Sequence, residues 1–188
     1  INKNGLLGTL STTVLLTPSV ISFSISVTIQ CGDAFTCITD TTMQIKCYCE
    51  NLQWQFGLGT TNQQNTPASP ISLPGGPKIL RVGSFHTCFI ISNNGYCLGN
   101  NNYGQLSINS TLNKGGSAVD FPPPISVSNV SDISAGFDHT CFLLINGSVA
   151  CAGNNYGLIA NVITVPAGPF VNIASYLNKT CGLVSNTI

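Results

Sequence analysis

Charge is what this sequence lacks most. Six Lys or Arg and six Asp or Glu make up 6% of its 188 residues, where ordinary soluble domains carry about a quarter charged side chains. The two signs cancel and no basic cluster forms, which argues against a nucleic-acid partner, since phosphate binding needs concentrated positive surface. Histidine is confined to His86 and His139. The acids Asp33, Asp40, Glu50, Asp120, Asp132 and Asp138 are scattered, with neither paired-carboxylate nor calcium-loop spacing. A Gly-x-Ser-x-Gly elbow is missing, and the glycine-rich stretch 99–104 leads into no helical pattern, so it is no phosphate loop. The chain therefore reads as non-enzymatic, with no cofactor and no metal site. A membrane span is absent too. Residues 10–29 are apolar, but Pro18 interrupts them, and Phe23, Ile25, Val27 and Ile29 alternate with Ser22, Ser24, Ser26 and Thr28, the pattern of a half-buried strand.

Cysteine is abundant. Nine in one chain would suggest metal or redox sites in a reducing cytosol. Their spacings lie near ten, however, and Cys47-Tyr48-Cys49 is too tight for a zinc knuckle. Disulfides in an oxidising, extracellular setting are the better reading. The chain opens on Ile1-Asn2-Lys3-Asn4, so a signal sequence is expected to have been removed. Ser, Thr, Asn, Gln and Gly replace the missing charge as the source of solubility.

Laid on itself, the chain repeats. Val82-Gly83-Ser84-Phe85-His86-Thr87-Cys88-Phe89 matches Ala135-Gly136-Phe137-Asp138-His139-Thr140-Cys141-Phe142, with looser copies at 31–38 and 174–181. Thr-Cys recurs at 36–37, 87–88, 140–141 and 180–181, in steps of 51, 53 and 40 residues. A second block, Cys97-Leu98-Gly99-Asn100 with Gly104-Gln105-Leu106, recurs as Cys151-Ala152-Gly153-Asn154 with Gly157, and in degraded form at 47–57. A proline precedes each first strand, at Pro18, Pro70, Pro124 and Pro166. Each unit reads as short strands, with first strands over Ile79–Val82, Val130–Ser134 and Val171–Ala174 and a second opened by Thr-Cys. The expected fold is all-β, a tandem array of propeller blades of three or four strands. The units run over 1–19 (partial), 20–77, 78–127, 128–168 and 169–188 (partial).

His86-Thr87-Cys88, Asn94-Gly95, Cys97-x-Gly99-Asn100 and Gly104-Gln105-Leu106, with His139-Thr140-Cys141, Asn146-Gly147 and Cys151-x-Gly153-Asn154, resemble the regulator-of-chromosome-condensation repeat family. The likeness is to its cysteine-containing extracellular branch. The resemblance implies a seven-bladed propeller, although about three full repeats fit in this chain. The family's Trp-Gly after the second cysteine is Leu98-Gly99, Ala152-Gly153 and Tyr48-Cys49 here. Fold alone does not choose among that family's functions.

Within repeats the cysteines are ten, nine and ten residues apart, and the midpoints of the second and third pairs fall on or beside Asn-Gly, a strong hairpin signal. Directly opposed residues across a hairpin suit a disulfide. Cys37–Cys47, Cys88–Cys97 and Cys141–Cys151 are expected to bond. Cys31 and Cys49 are additions to the first repeat alone, so their mutual pairing is the economical expectation, leaving Cys181 unpaired or intermolecular. His86 and His139 share one repeat position, which marks them as structural. Trp54 stands where other repeats have Gly5, Gly104 and Gly157, and is read as local repacking ahead of an exposed contact. Asn109, Asn129, Asn146 and Asn178 are N-glycosylation sequons, and O-linked sugars are compatible with the Ser/Thr/Pro tracts at 60–74 and 117–128. The functional expectation is an extracellular structural protein whose copies join head to tail, the alternative a secreted or cell-surface binding module.

Overall fold

The computed structural model describes residues 26–64, 70–71, 73–116, 124–163 and 169–185. The partial repeat expected over 1–19, together with Pro18, Phe23, Ile25 and Pro166, lies outside them. The described residues form twelve strands and no helix. β1 (Ser26–Cys31), β2 (Phe35–Asp40) and β3 (Ile45–Cys49) make the first antiparallel sheet, and β4 (Ile79–Val82), β5 (His86–Ile91) and β6 (Asn94–Gly99) the second. β7 (Val130–Ala135), β8 (His139–Leu144), β9 (Val149–Gly153) and β10 (Gly157–Ile163) make the third, and β11 (Phe170–Tyr176) pairs with β12 (Lys179–Val184). These are four successive propeller blades, each a meander running outward from its first strand.

The middle strands lack the alternation of a half-exposed strand. All six residues of His86-Thr87-Cys88-Phe89-Ile90-Ile91 are buried, because a sheet stacks on each face. β2 is likewise buried throughout. The hairpin turns differ by blade. Ser92 and Asn93 both take positive φ (49° and 65°), the signature of a two-residue type I′ turn. The turn thus sits just ahead of Asn94-Gly95, which opens β6. In the third blade Gly147 takes φ 80°, and the Ser148 N–H donates to Asn146 Oδ1 at 3.0 Å. The first blade has no Asn-Gly. Instead, Asp40 Oδ1 accepts the N–H groups of Thr42 (2.9 Å) and Gln44 (3.1 Å), and Lys46 Nζ donates to Oδ2 at 2.9 Å. These contacts, led by the Lys46 ammonium, hold the Asp40 carboxyl well below the usual carboxylate range.

Cys37 opposes Cys47, Cys88 opposes Cys97 and Cys141 opposes Cys151, with S–S distances of 2.03, 2.10 and 2.05 Å. Each bridge also belongs to the apolar layer between consecutive blades. Cys37 and Cys47 cluster with Leu80, Phe89 and Leu98 of the second blade, Cys88 and Cys97 with Ile133, Phe142 and Ala150 of the third, and Cys141 and Cys151 with Ile173 of the fourth. The sulfurs are core atoms as well as staples.

The expected Cys31–Cys49 bond is absent, and register explains why. Cys31 pairs across with Thr36, and Thr36 with Tyr48, so those three share one face of the sheet. Cys49 pairs with Phe35, one position along, and points to the other face beside the Cys37–Cys47 bridge. A one-residue offset puts two side chains on opposite sides of a strand pair. Cys31 is exposed and Cys49 buried.

Candidate functional site

In an antiparallel meander the first and third connections lie at one end of the sheet and the second at the other. The loops 32–34, 83–85, 136–138 and 177–178, between the first two strands of each blade, therefore share an end. Blade-to-blade backbone bonds gather them: Asp33 N–H donates to Ser84 O (3.4 Å), Ser84 N–H to Gly136 O (3.2 Å) and Phe137 N–H to Leu177 O (2.8 Å).

A glycine and a ring make that gathering fit. A Cβ on Gly83 would overlap the His86 imidazole and lie 2.5 Å from Gly136 O, and one on Gly136 would overlap His139 and lie 2.7 Å from Leu177 O. Gly32 stands in the same relation to Phe35 and to Gly83 O. Close approach of backbone to the next blade, and no positive φ, requires these glycines. The histidines then reach across. His86 Nε2 is 2.8 Å from Thr140 Oγ1, and His139 Nε2 is 2.7 Å from Thr180 Oγ1. His86 is fully buried and its Nδ1 has no hydrogen-bond partner. Burial, with a smaller push from His139, lowers its pKa to about 3, and burial lowers that of His139 as well. Both are neutral structural links between blades.

The loops after β3 and β6 cover the same end, organised by a residue that sequence reading did not single out. Asn101 is fully buried; its Oδ1 accepts Leu106 N–H (2.9 Å) and its Nδ2 donates to Ser110 O (2.7 Å) and Leu112 O (3.0 Å). Asn51 repeats this with Phe56 N–H, Thr60 O and Asn62 O. The available signal was the recurrence of Asn51 and Asn101 five residues before Phe56 and Leu106. Trp54 takes φ 58°, beside 84° for Gly104 and 92° for Gly157, so the indole occupies a backbone position that otherwise uses glycine. Its ring lies against Gly116, half-buried, as local repacking would have it.

Around the axis these loops enclose a depression of about 270 Å³ lined by Cys31, Asp33, Ser84, Phe137, Tyr176 and Leu177 among others. Phe85 and Phe137 meet edge to face at 5.6 Å. Tyr176 is 78% exposed, and Tyr103 and Leu112 on the outer loops are also exposed. Asp138 follows Phe137, and burial raises its pKa above the ordinary carboxyl value. Among the described residues, no three His, Cys, Asp or Glu side chains group to hold a metal ion, and no helix is long and apolar enough to cross a membrane.

The sequon asparagines are all exposed. Asn129 and Asn146 line one cavity of about 660 Å³ at the end opposite the axial depression. Asn109 lies in the loop after Leu106, and Asn178 in the β11–β12 turn. Cys181 is exposed on β12, opposite Ala174.

Together the four blades, their shared end and their inter-blade links define a tandem-repeat β-propeller protein. Residues 130–157 match the regulator of chromosome condensation (RCC1) repeat. The fold is similar to Prp20p from Saccharomyces cerevisiae (TM-score 0.79, 14% identity, 100% of this chain and 51% of that one). It is similar as well to human WBSCR16 (0.73, 18%, 89% and 48%). A third likeness is to the CRINKLY WD40 ectodomain of the Arabidopsis thaliana receptor kinase ACR4 (0.51, 16%, 85% and 45%). The chain spans about half the length of these structures. No curated protein matches it.

Proposed function

We propose that this chain is a non-catalytic binding module that works outside the cell, holding a protein partner on the end where the 32–34, 83–85, 136–138 and 177–178 loops meet. The observation that carries the reading is the character of that end. A rigid base of backbone bonds and Gly-ring contacts presents Phe137, Tyr103, Tyr176 and Leu112 with little charge, and exposed aromatics on a rigid scaffold are the usual anchors of protein interfaces. Three disulfides and exposed sequons support an oxidising, secretory setting, with N-linked glycans at Asn109, Asn129, Asn146 or Asn178. The fold serves as a receptor-kinase ectodomain in ACR4, and Prp20p binds Gsp1p and histones. A photo-crosslinking residue at position 103 should capture the partner while one at position 145, at the opposite end, should not. Equal capture from both positions contradicts the assignment.

Self-association is a second reading, favoured by one observation. Cys181 holds the register position of Cys37, Cys88 and Cys141, yet is exposed, on a strand face that also carries exposed Leu183. An exposed cysteine beside an exposed leucine is a surface on which a second copy can form an intermolecular disulfide. Non-reducing electrophoresis with size exclusion tests this: a Cys181-dependent dimer or polymer supports it, and a monomer at all concentrations opposes it.

A further inference from the structure

Resting on the binding reading above, we propose that the axial depression receives an arginine side chain of the protein partner. Its shape and its chemistry converge. At about 270 Å³ it has room for one long side chain and too little for a folded loop. Asp33 is the one charged residue in its lining, is exposed, and belongs to neither of the two ion pairs among the described residues, Lys46–Asp40 and Arg81–Asp132.

An anion would find little to hold it. The N–H groups of Asp33, Ser84 and Phe137, which would form an anion nest, are already committed to Ser84 O, Gly136 O and Leu177 O. The neighbouring ionisable groups add negative charge: Glu50 N–H is bonded to Ala34 O beside Asp33, and Asp138 follows Phe137. Of the adjoining cations, Arg81 is paired with Asp132, and Lys179, cross-strand from Tyr176, is outside the lining.

Two aromatic side chains, Phe137 and Tyr176, complete the site. A guanidinium can stack on a ring while it pairs with a carboxylate, which an ammonium does less well. Asp33 supplies the pairing group and Tyr176, largely exposed, the movable ring.

The test uses this chain with its disulfides intact and two blocked tripeptides, acetyl-Ala-Arg-Ala-amide and its neutral, near-isosteric citrulline analogue. Amide shifts of Asp33, Ser84 and Phe137 are followed during titration. The arginine peptide should perturb them saturably and bind about fivefold or more tightly than the citrulline peptide, the scale of one exposed cation–π contact or surface ion pair. Asp33→Asn should abolish that preference, while Asp138→Asn should leave it. Equal binding of both peptides, shifts confined to another surface, or a preference that survives Asp33→Asn overturns the proposal. Crosslinking from position 103 that persists in Asp33→Asn, with no arginine preference in the peptides, removes this pocket and leaves the binding module standing. Arginine preference without any crosslinked partner does the reverse.

Discussion

The junction between the first and second blades and the junction between the second and third solve one problem with different chemistry. At the first, Phe35 packs on Gly32, and the Thr87 hydroxyl donates to Gln55 O at 2.9 Å while lying 3.9 Å from Cys37 Sγ. At the second, His86 packs on Gly83 and bonds Thr140, and Arg81 pairs with Asp132 at 2.8 Å. Glycine, ring, disulfide and following threonine are common to both; the imidazole bond and the ion pair are not. The shared parts are apolar packing and close backbone approach, which are therefore what a blade junction requires. The polar link is an option, and it carries a pH cost that a phenylalanine avoids.

That comparison can be broken at its shared elements first. Gly83→Ala should destabilise the protein by about 3 kcal/mol, since neither the His86 ring nor Gly136 O can yield without shifting a blade. Urea unfolding measures it, and a loss near zero would show that close approach is not required. Next, removing the second bridge with Cys88→Ala and Cys97→Ala should cost about 2–3 kcal/mol, with a similar loss for Cys37→Ala and Cys47→Ala, because both bridges close short loops and pack on the next blade. Markedly unequal losses would end the equivalence of the two junctions.

The optional element gives a smaller, pH-dependent effect. His86 titrates near 6.5 unfolded and about 3 folded, so the unfolded chain binds the extra proton. Its neutral burial is fully tolerated above pH 6.5, and stability falls as pH drops from there toward 3, by ~1.4 kcal/mol per unit. At pH 5 the wild type should have lost about 2 kcal/mol to this group, and His86→Phe, which copies the first junction, should remove that part of the slope. Stability curves at pH 7 and pH 5 decide it, and an unchanged slope contradicts the assignment. Asp40 adds a loss of the same sign only at lower pH, below the ordinary carboxylate value, as its carboxylate takes up a proton. The smallest effect is expected from Arg81→Leu, about 0.5 kcal/mol, because the Arg81–Asp132 pair is partly exposed and screened.

Repetition made the fold legible. Thr-Cys and the second cysteine mark the second and third strands of three blades, and equal spacing about a turn is enough to oppose 37 with 47, 88 with 97 and 141 with 151. Cys31 with Cys49 misled because parity and alignment carry no information on which face of a strand a residue occupies; that needs the register of all three strands. The role of Gly83 and Gly136 was hidden for another reason. Their glycines were visible as repeated letters, but beyond the ring three residues on, the atoms that exclude a Cβ are the Gly136 and Leu177 carbonyl oxygens of the next blade, far away in sequence. Asn101 was overlooked beside Asn100 because its side chain bonds backbone across a loop, and the only trace was its recurrence as Asn51, five residues before Phe56 as Asn101 is before Leu106. The axial depression is assembled from four loops, so no single stretch of sequence announces it.

The most direct test of the account is a disulfide map of the protein taken from its natural source, with thiols alkylated at harvest and peptides read without reduction. The account predicts Cys37–Cys47, Cys88–Cys97 and Cys141–Cys151 as linked peptides and no peptide joining Cys31 to Cys49. Nine alkylated cysteines would contradict both the inter-blade sulfur layer and the extracellular setting, and a Cys31–Cys49 link would contradict the register of the first blade.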